Sequence, residues 1–222
     1  MKNPIDNFSP LAYPQGSVTQ FFGENKELYK TVCSTPNTCL EFGHNGWDIV
    51  GPWGNPIYCV MTGKVVEVKN SDTGYGKHIR ILCPIAGEKR LEWVYGHMSR
   101  IDVVPGQQLT EGDQIGLMGN TGFVVSGATP YWKYNPYAGT HLHLGVKIIS
   151  PETGGWDVSY STGDKGTMEN YRNGFLGSVD PRPFLDPKEP EFPPTTNLTA
   201  QSIINQIKVL WAKIRVLQGV DK

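Results

Sequence analysis

The 222-residue sequence predicts a mostly β fold: an antiparallel sheet or two-layer β-sandwich-like domain with long loops, followed by a C-terminal helix. Three observations carry this. Short apolar runs with period-two alternation and β-branched residues recur from Gly43 onward. Glycine and proline, 26 and 17 in number, separate most of these runs. Helical periodicity is scarce before residue 195.

The elements follow in order. Residues 1–13 form a lead-in, and "PQGSVTQFFG" (14–23) reads as a turn and a short strand. Residues 24–43 read as an irregular loop carrying Cys33 and Cys39. The strands expected next lie in "HNGWDIVG", "PIYCVMTGKVVEVKN", "HIRILCP", "LEWVYGHM", "QIGLMGNTG" and "HLHLGVKII". Two insertions, 122–140 and 150–178, interrupt them as long loops, the first rich in tyrosine and tryptophan and the second polar. A domain over 14–186 thus ends in a proline-rich linker at 187–196. In the tail, 197–222, Ile203, Ile207, Leu210, Ile214 and Leu217 recur at alternating steps of four and three, the seam of a short coiled coil. Roughly three heptads are marginal alone, so the helix needs a partner. The domain surface or a second copy suits it best, and a lipid interface is the third option, since Lys208, Lys213 and Arg215 give it a basic side.

A formal net charge of −1 supplies no field to recruit nucleic acid. No run approaches the ~18–20 apolar residues that span a bilayer. The first twenty residues lack the apolar centre of a signal peptide, so a site of action outside the cytoplasm requires another route or a trimmed chain. The four cysteines, Cys33, Cys39, Cys59 and Cys83, are not spaced as paired zinc knuckles. Cys33 and Cys39 can close a small loop under oxidising conditions, and four reduced thiols fit equally well.

The chemistry lies with the histidines, of which there are five. In a strand, residues two apart share a face, so "HLH" would set His141 and His143 side by side with Leu142 and Leu144 beneath them. The glycine of "HNGWD" allows a turn that brings His44 and Asp48 round one point. A His/Asp/His set leaves one position of a tetrahedral zinc ion for water, the open arrangement of catalytic rather than structural sites. His97 and the remaining histidine of the pair are then free to handle protons.

The ordered motifs "GHNGWD", "YGHMS", "MGNTG" and "GTHLHLGV" resemble those of the lysostaphin- and LytM-type zinc metallopeptidases, which cut peptidoglycan peptides. "VTQFFG", "PWGNPIYCVMTGKVVEV", "GYGKHIRI" and "VDPRPFL" extend the resemblance over about residues 14–186. It implies that His44, Asp48 and His143 are the zinc ligands and that His97 and His141 are the catalytic histidines. The activity it implies is endopeptidase hydrolysis of stem peptides or cross-bridges, with zinc as cofactor and peptidoglycan as substrate. Action on the cell wall follows, whether extracellular, periplasmic or phage-associated. Tyr95, two residues before His97, is a candidate hydrogen-bond donor to the tetrahedral intermediate or else a core tyrosine. His78 matches an ordinary strand position and receives no metal role.

The resemblance allows only a few residues between the glycine turn and the HxH strand, yet eighteen separate Gly122 from His141. Tyr131, Trp132, Tyr134 and Tyr137 in that stretch either wall a substrate groove or pack into a satellite core. Two other readings of the whole chain stand beside the peptidase: a non-catalytic zinc-containing wall-binding or activator module, and a zinc-dependent carbohydrate-binding β-domain. The complete set of ligands and histidines favours the enzyme.

Overall fold

The computed structural model describes residues 3–6, 8, 18–32, 41–126, 129–151 and 155–185. The elements are β1 (Val18–Gln20), α1 (Lys26–Val32), β2 (Trp47–Val50), β3 (Pro56–Tyr58), β4 (Gly63–Lys69), β5 (His78–Pro84), β6 (Arg90–Gly96) and β7 (Met98–Ile101). They continue with β8 (Gln108–Leu109), β9 (Gln114–Met118), β10 (Val125–Ser126), β11 (Thr129–Pro130), β12 (His141–Ser150), β13 (Trp156–Ser159), β14 (Lys165–Met168), β15 (Ser178–Val179) and the single turn α2 (Arg182–Leu185). The cysteine pair Cys33 and Cys39, the linker over 187–196 and the helix expected over 197–222 lie outside the described residues.

The architecture is antiparallel throughout. The large sheet runs β1-β2-β12-β6-β5-β4-β8, with β14 and β15 also on β12 and β13 on β14, while β3-β9-β7 form a smaller sheet. Both sheets contribute to one core: Ile49, Leu142, Leu144, Val146, Trp93, Tyr95, Ile79 and Ile81 from the large sheet, and Ile57, Met98, Ile115 and Met118 from the small one. Each large side chain so buried stabilises the fold by roughly 1.5–3 kcal/mol. Strand alternation makes this packing possible. Along β12 the even positions Leu142, Leu144 and Val146 enter the core, and the odd positions His141, His143, Gly145 and Lys147 fall on the opposite face.

Beyond Gly145 that opposite face is covered by protein, with Lys147 and Ile149 buried. Two stretches expected as loops are partly ordered elements. Within 150–178, β13 and β14 form a hairpin that folds back over the sheet: Tyr160 donates its hydroxyl to Glu92, and Asp164 pairs with Lys64 at 2.9 Å. Val66, Leu82, Ile149 and Met168 make a second small core beneath it. Glu92, 0% exposed, is also held by Arg80 at 3.2 Å, so the buried carboxylate is paired. Within 122–140 lie the β10–β11 ribbon and a 3-10 turn at Tyr131–Lys133. Residues 26–32, expected as loop, form α1, with Asn25 in a left-handed conformation (φ 56°) just before it and Glu27 in its first turn, where a negative charge favours the helix N-terminus.

Candidate metal centre and flanking histidines

Asp48 enters through β2 and His143 through β12, and the antiparallel register places the two directly opposite. His44 precedes β2 on a turn whose backbone is held by hydrogen bonds His44 N–H to Glu24 carbonyl at 3.0 Å and Gly23 N–H to His44 carbonyl at 2.8 Å. Gly46 lets this turn pass close by. A Cβ there would stand 2.7 Å from both His143 Nε2 and the Leu144 carbonyl oxygen.

Three donor atoms converge as a result. His44 Nε2 lies 3.0 Å from Asp48 Oδ1 and 3.0 Å from His143 Nδ1, and His143 Nδ1 lies 3.1 Å from Asp48 Oδ1. Zinc bonded at about 2.0–2.2 Å in a tetrahedron separates its ligand atoms by roughly 3.3 Å. A near-equilateral triangle of two imidazole nitrogens and one carboxylate oxygen therefore fits zinc in size and in chemistry. His44 and His143 are 2% and 3% exposed. Burial would raise the Asp48 carboxyl, but His141, His143 and His44 around it hold it well below the usual carboxylate range. Burial lowers the His143 imidazole to about 4 against the opposing hydrogen bond to Asp48, so the ring is neutral and its lone pairs are available at pH 7.

His97 and His141 flank the triangle, with ring centres 4.7 Å apart. His97 Nδ1 donates to the Thr121 carbonyl at 2.7 Å, and His141 Nδ1 donates to the Gly139 carbonyl at 2.7 Å. A carbonyl only accepts, so both Nδ1 atoms carry hydrogen and both Nε2 atoms carry the lone pair in the neutral rings. His141 Nε2 stands 3.5 Å from Asp48 Oδ1. Burial first, then His141 and His143, push the His97 imidazole well below its usual value.

Of its two readings Tyr95 takes the core one, and the hydrogen-bond role toward the intermediate falls away. It is 0% exposed in the core, and its hydroxyl accepts the Val60 N–H at 3.0 Å. Counting strand parity from His97 fails because the strand ends at Gly96 and His97 takes φ 59°. The tyrosine beside the centre is instead Tyr75. Its ring lies 4.9 Å from that of His143, and Asn45 donates to its hydroxyl at 2.7 Å. The signal was present in "GYGKHIRI", a tyrosine between two turn glycines. His78 bonds the Gly76 carbonyl through Nδ1 at 2.9 Å and Glu67 through Nε2 at 3.1 Å.

The aromatic loop divides its residues between two jobs. Trp132 donates Nε1–H to the Gly122 carbonyl at 3.0 Å, and Tyr131 lies 5.7 Å from Tyr134, so part of the loop packs on itself. Tyr134 and Tyr137 are 57% and 66% exposed. Tyr137 meets Trp53 edge-on at 5.5 Å, linking this loop to the segment after β2; Trp53 carried no motif to single it out.

A two-layer antiparallel fold bearing an open three-donor centre with two inward-facing imidazoles defines a metallopeptidase-like class. The chain belongs to peptidase family M23, whose family model matches residues 42–155. It is 36% identical over 86 residues to the uncharacterized lipoprotein YgeR of Escherichia coli, across 39% of this chain and 33% of that protein. It is 35% identical over 100 residues to the peptidoglycan DD-endopeptidase ShyA of Vibrio cholerae, across 45% of this chain and 19% of that protein. The chain thus spans a third or less of the length of these curated relatives. Among solved structures, the catalytic domain of the prophage-encoded M23 protein EnpA from Enterococcus faecalis is similar at 30% identity and a TM-score of 0.37, covering 47% of this chain and 68% of that one.

Proposed function

We propose that this protein is a zinc-dependent endopeptidase that hydrolyses amide bonds in peptidoglycan stem peptides or cross-bridges. The observation that carries this reading is the convergence of His44 Nε2, Asp48 Oδ1 and His143 Nδ1 within 3.1 Å of one another, next to two imidazoles whose Nδ1 atoms are each bonded to a backbone carbonyl. Family membership and the similarity to the peptidoglycan DD-endopeptidase ShyA support the substrate class. The cell wall is accordingly the proposed site of action.

His44, Asp48 and His143 would hold the zinc ion. When bound, zinc polarises the scissile carbonyl and lowers the pKa of water toward ~7. The chain's own contribution is proton handling. The Nε2 atoms of His97 and His141 accept a proton from the attacking water and return one to the leaving amine, each ring fixed by its Nδ1 hydrogen bond to a backbone carbonyl. A protonated Nε2 also donates a hydrogen bond to the developing oxyanion. Tyr131, Trp132, Tyr134 and Tyr137, joined by Trp53, border the substrate on the β12 entry side, with Tyr134, Tyr137 and Trp53 offering exposed ring surface to peptide.

Mass spectrometry of muropeptides after incubation of purified wall with the protein tests the reading. New amino termini should appear with the wild type and vanish with His143→Ala. A wall left intact by metal-loaded wild-type protein would refute it.

A further inference from the structure

A second concavity lies beyond the metal-centre triangle. It has a volume of about 380 Å³ and is lined by Gly155, Trp156, Met168, Asn170, Tyr171 and Arg172. Nothing in the proposed peptidase chemistry uses it. We infer that this pocket binds the glycan strand of peptidoglycan, taking a β-linked N-acetylhexosamine against the Trp156 ring; this rests on the proposed action on cell wall.

The pocket's chemistry suits a pyranose. Trp156 and Tyr171 stack nearly parallel, 4.0 Å between ring centres and 17° between planes, so Tyr171 pins the indole from one side. Trp156 nevertheless remains 49% exposed. A flat, pre-set aromatic face with little rotamer freedom left to lose matches the C–H face of a sugar. Met168, 3% exposed and part of the small core, gives an apolar floor for an acetamido methyl group. The exposed side chains of Asn170 and Arg172 stand at the rim, where amide and guanidinium groups can meet the acetamido oxygen and ring hydroxyls. A purely apolar ligand would leave these rim groups without a match, and a phosphate would gain nothing from the ring face.

Position argues for the same polymer. Met168 pairs with Ile149, and Trp156 pairs with Met168. Residues directly opposite in antiparallel strands share a face, and Ile149 shares its face of β12 with His143. Trp156 therefore stands on the metal-centre side of the sheet. Ile149 lies six positions beyond His143 along β12, about 20 Å at ~3.3 Å per residue. An extended peptide of five or six residues covers about that distance. The spacing between Trp156 and the metal centre thus matches the reach of one stem peptide attached to a bound glycan unit.

The test uses the full chain and a β-1,4-linked N-acetylglucosamine tetramer, which contains no amide bond the peptidase would cut in a peptide. Titration should give a saturable change in tryptophan fluorescence. Trp156→Ala should weaken tetramer binding, read by calorimetry, about ten-fold or more, while Trp156→Phe retains part of it. Trp156→Ala should also slow the cleavage of intact wall but leave cleavage of a soluble stem peptide unchanged. His143→Ala should bind the tetramer like the wild type. Absence of a saturable change in the wild type, or equal tetramer affinity in Trp156→Ala, overturns the inference. Tetramer binding lost in Trp156→Ala but no cleavage of any wall by the wild type would sustain the pocket and refute the peptidase reading.

Discussion

His97 and Thr121, twenty-four positions apart, are joined by an Nδ1–H to carbonyl hydrogen bond of 2.7 Å. This bond fixes the tautomer of the neutral ring, whose centre lies 4.7 Å from that of His141 and 6.0 Å from that of His143. Because His97 and His141 are each held by a backbone carbonyl, neither depends on the metal for its orientation.

His97→Ala and His141→Ala are therefore expected to keep bound metal while lowering turnover about 10²–10⁴-fold, the usual contribution of a positioned acid or base. Zinc content measured by atomic absorption beside peptide-cleavage rates checks this. Loss of metal together with activity would move these residues into the ligand set.

His143→Ala should do the opposite. Deleting a proposed direct ligand should cost more affinity than the roughly 10–100-fold lost when an outer partner is removed. The variant should purify with little zinc, and adding zinc at concentrations that restore chelator-treated wild type should not restore it.

The Thr121 hydroxyl is a structural knot: it accepts the Lys77 N–H at 2.9 Å and donates to the Met98 carbonyl at 2.9 Å. Thr121→Val keeps the shape and leaves both backbone groups without that partner, at about 1–3 kcal/mol. Denaturant melts should show this loss, and turnover should fall with metal still bound, since the His97 support moves with Thr121.

Tyr95→Phe separates the core from the chemistry. Removing the hydroxyl deprives the buried Val60 N–H of its partner, which costs about 1–3 kcal/mol. The midpoint of chemical unfolding should drop, whereas the cleavage rate per folded molecule should not change.

Glu67 ties stability to pH. A hydrogen bond from His78 and the Arg80 guanidinium bring its carboxyl from the usual 4.5 to about 2, with burial opposing. The unfolded chain takes up a proton there at higher pH than the folded chain does. The stabilisation is therefore complete above about 4.5 and is lost as pH falls toward about 2. Glu67→Gln should flatten the stability curve in that window and leave it parallel to wild type near neutrality.

What could be read in advance depended on whether the cause was local. The alternation in "HLHLGV" is local, and it correctly sets two histidines on one face with two leucines beneath them. Glycine in "HNGWD" is local as well, although its reason, the approach to His143, appears only in three dimensions. The two readings of Tyr95, oxyanion donor or core tyrosine, are separated only in three dimensions, because strand periodicity does not carry through a residue of positive φ. Tyr75 went unnoticed because its position depends on two distant turns in backbone contact: a Cβ on Gly122 would lie 2.3 Å from the Gly76 nitrogen. The β13–β14 hairpin was hidden by composition. Its outward residues apart from Trp156 are polar, and the apolar contacts that hold it come from Leu82, Ile149 and Val66, remote in sequence.

The central placement of β12, paired with β2 on one side and β6 on the other, has a consequence for how such proteins diversify. Inserting or deleting one residue within 141–147 would exchange leucines for histidines along the core and erase the reactive cluster and the packing in one event. Loops entering and leaving that strand carry no such penalty. Heritable change in the loops can accumulate at either end of this strand, while the histidine cluster in its middle tolerates almost none.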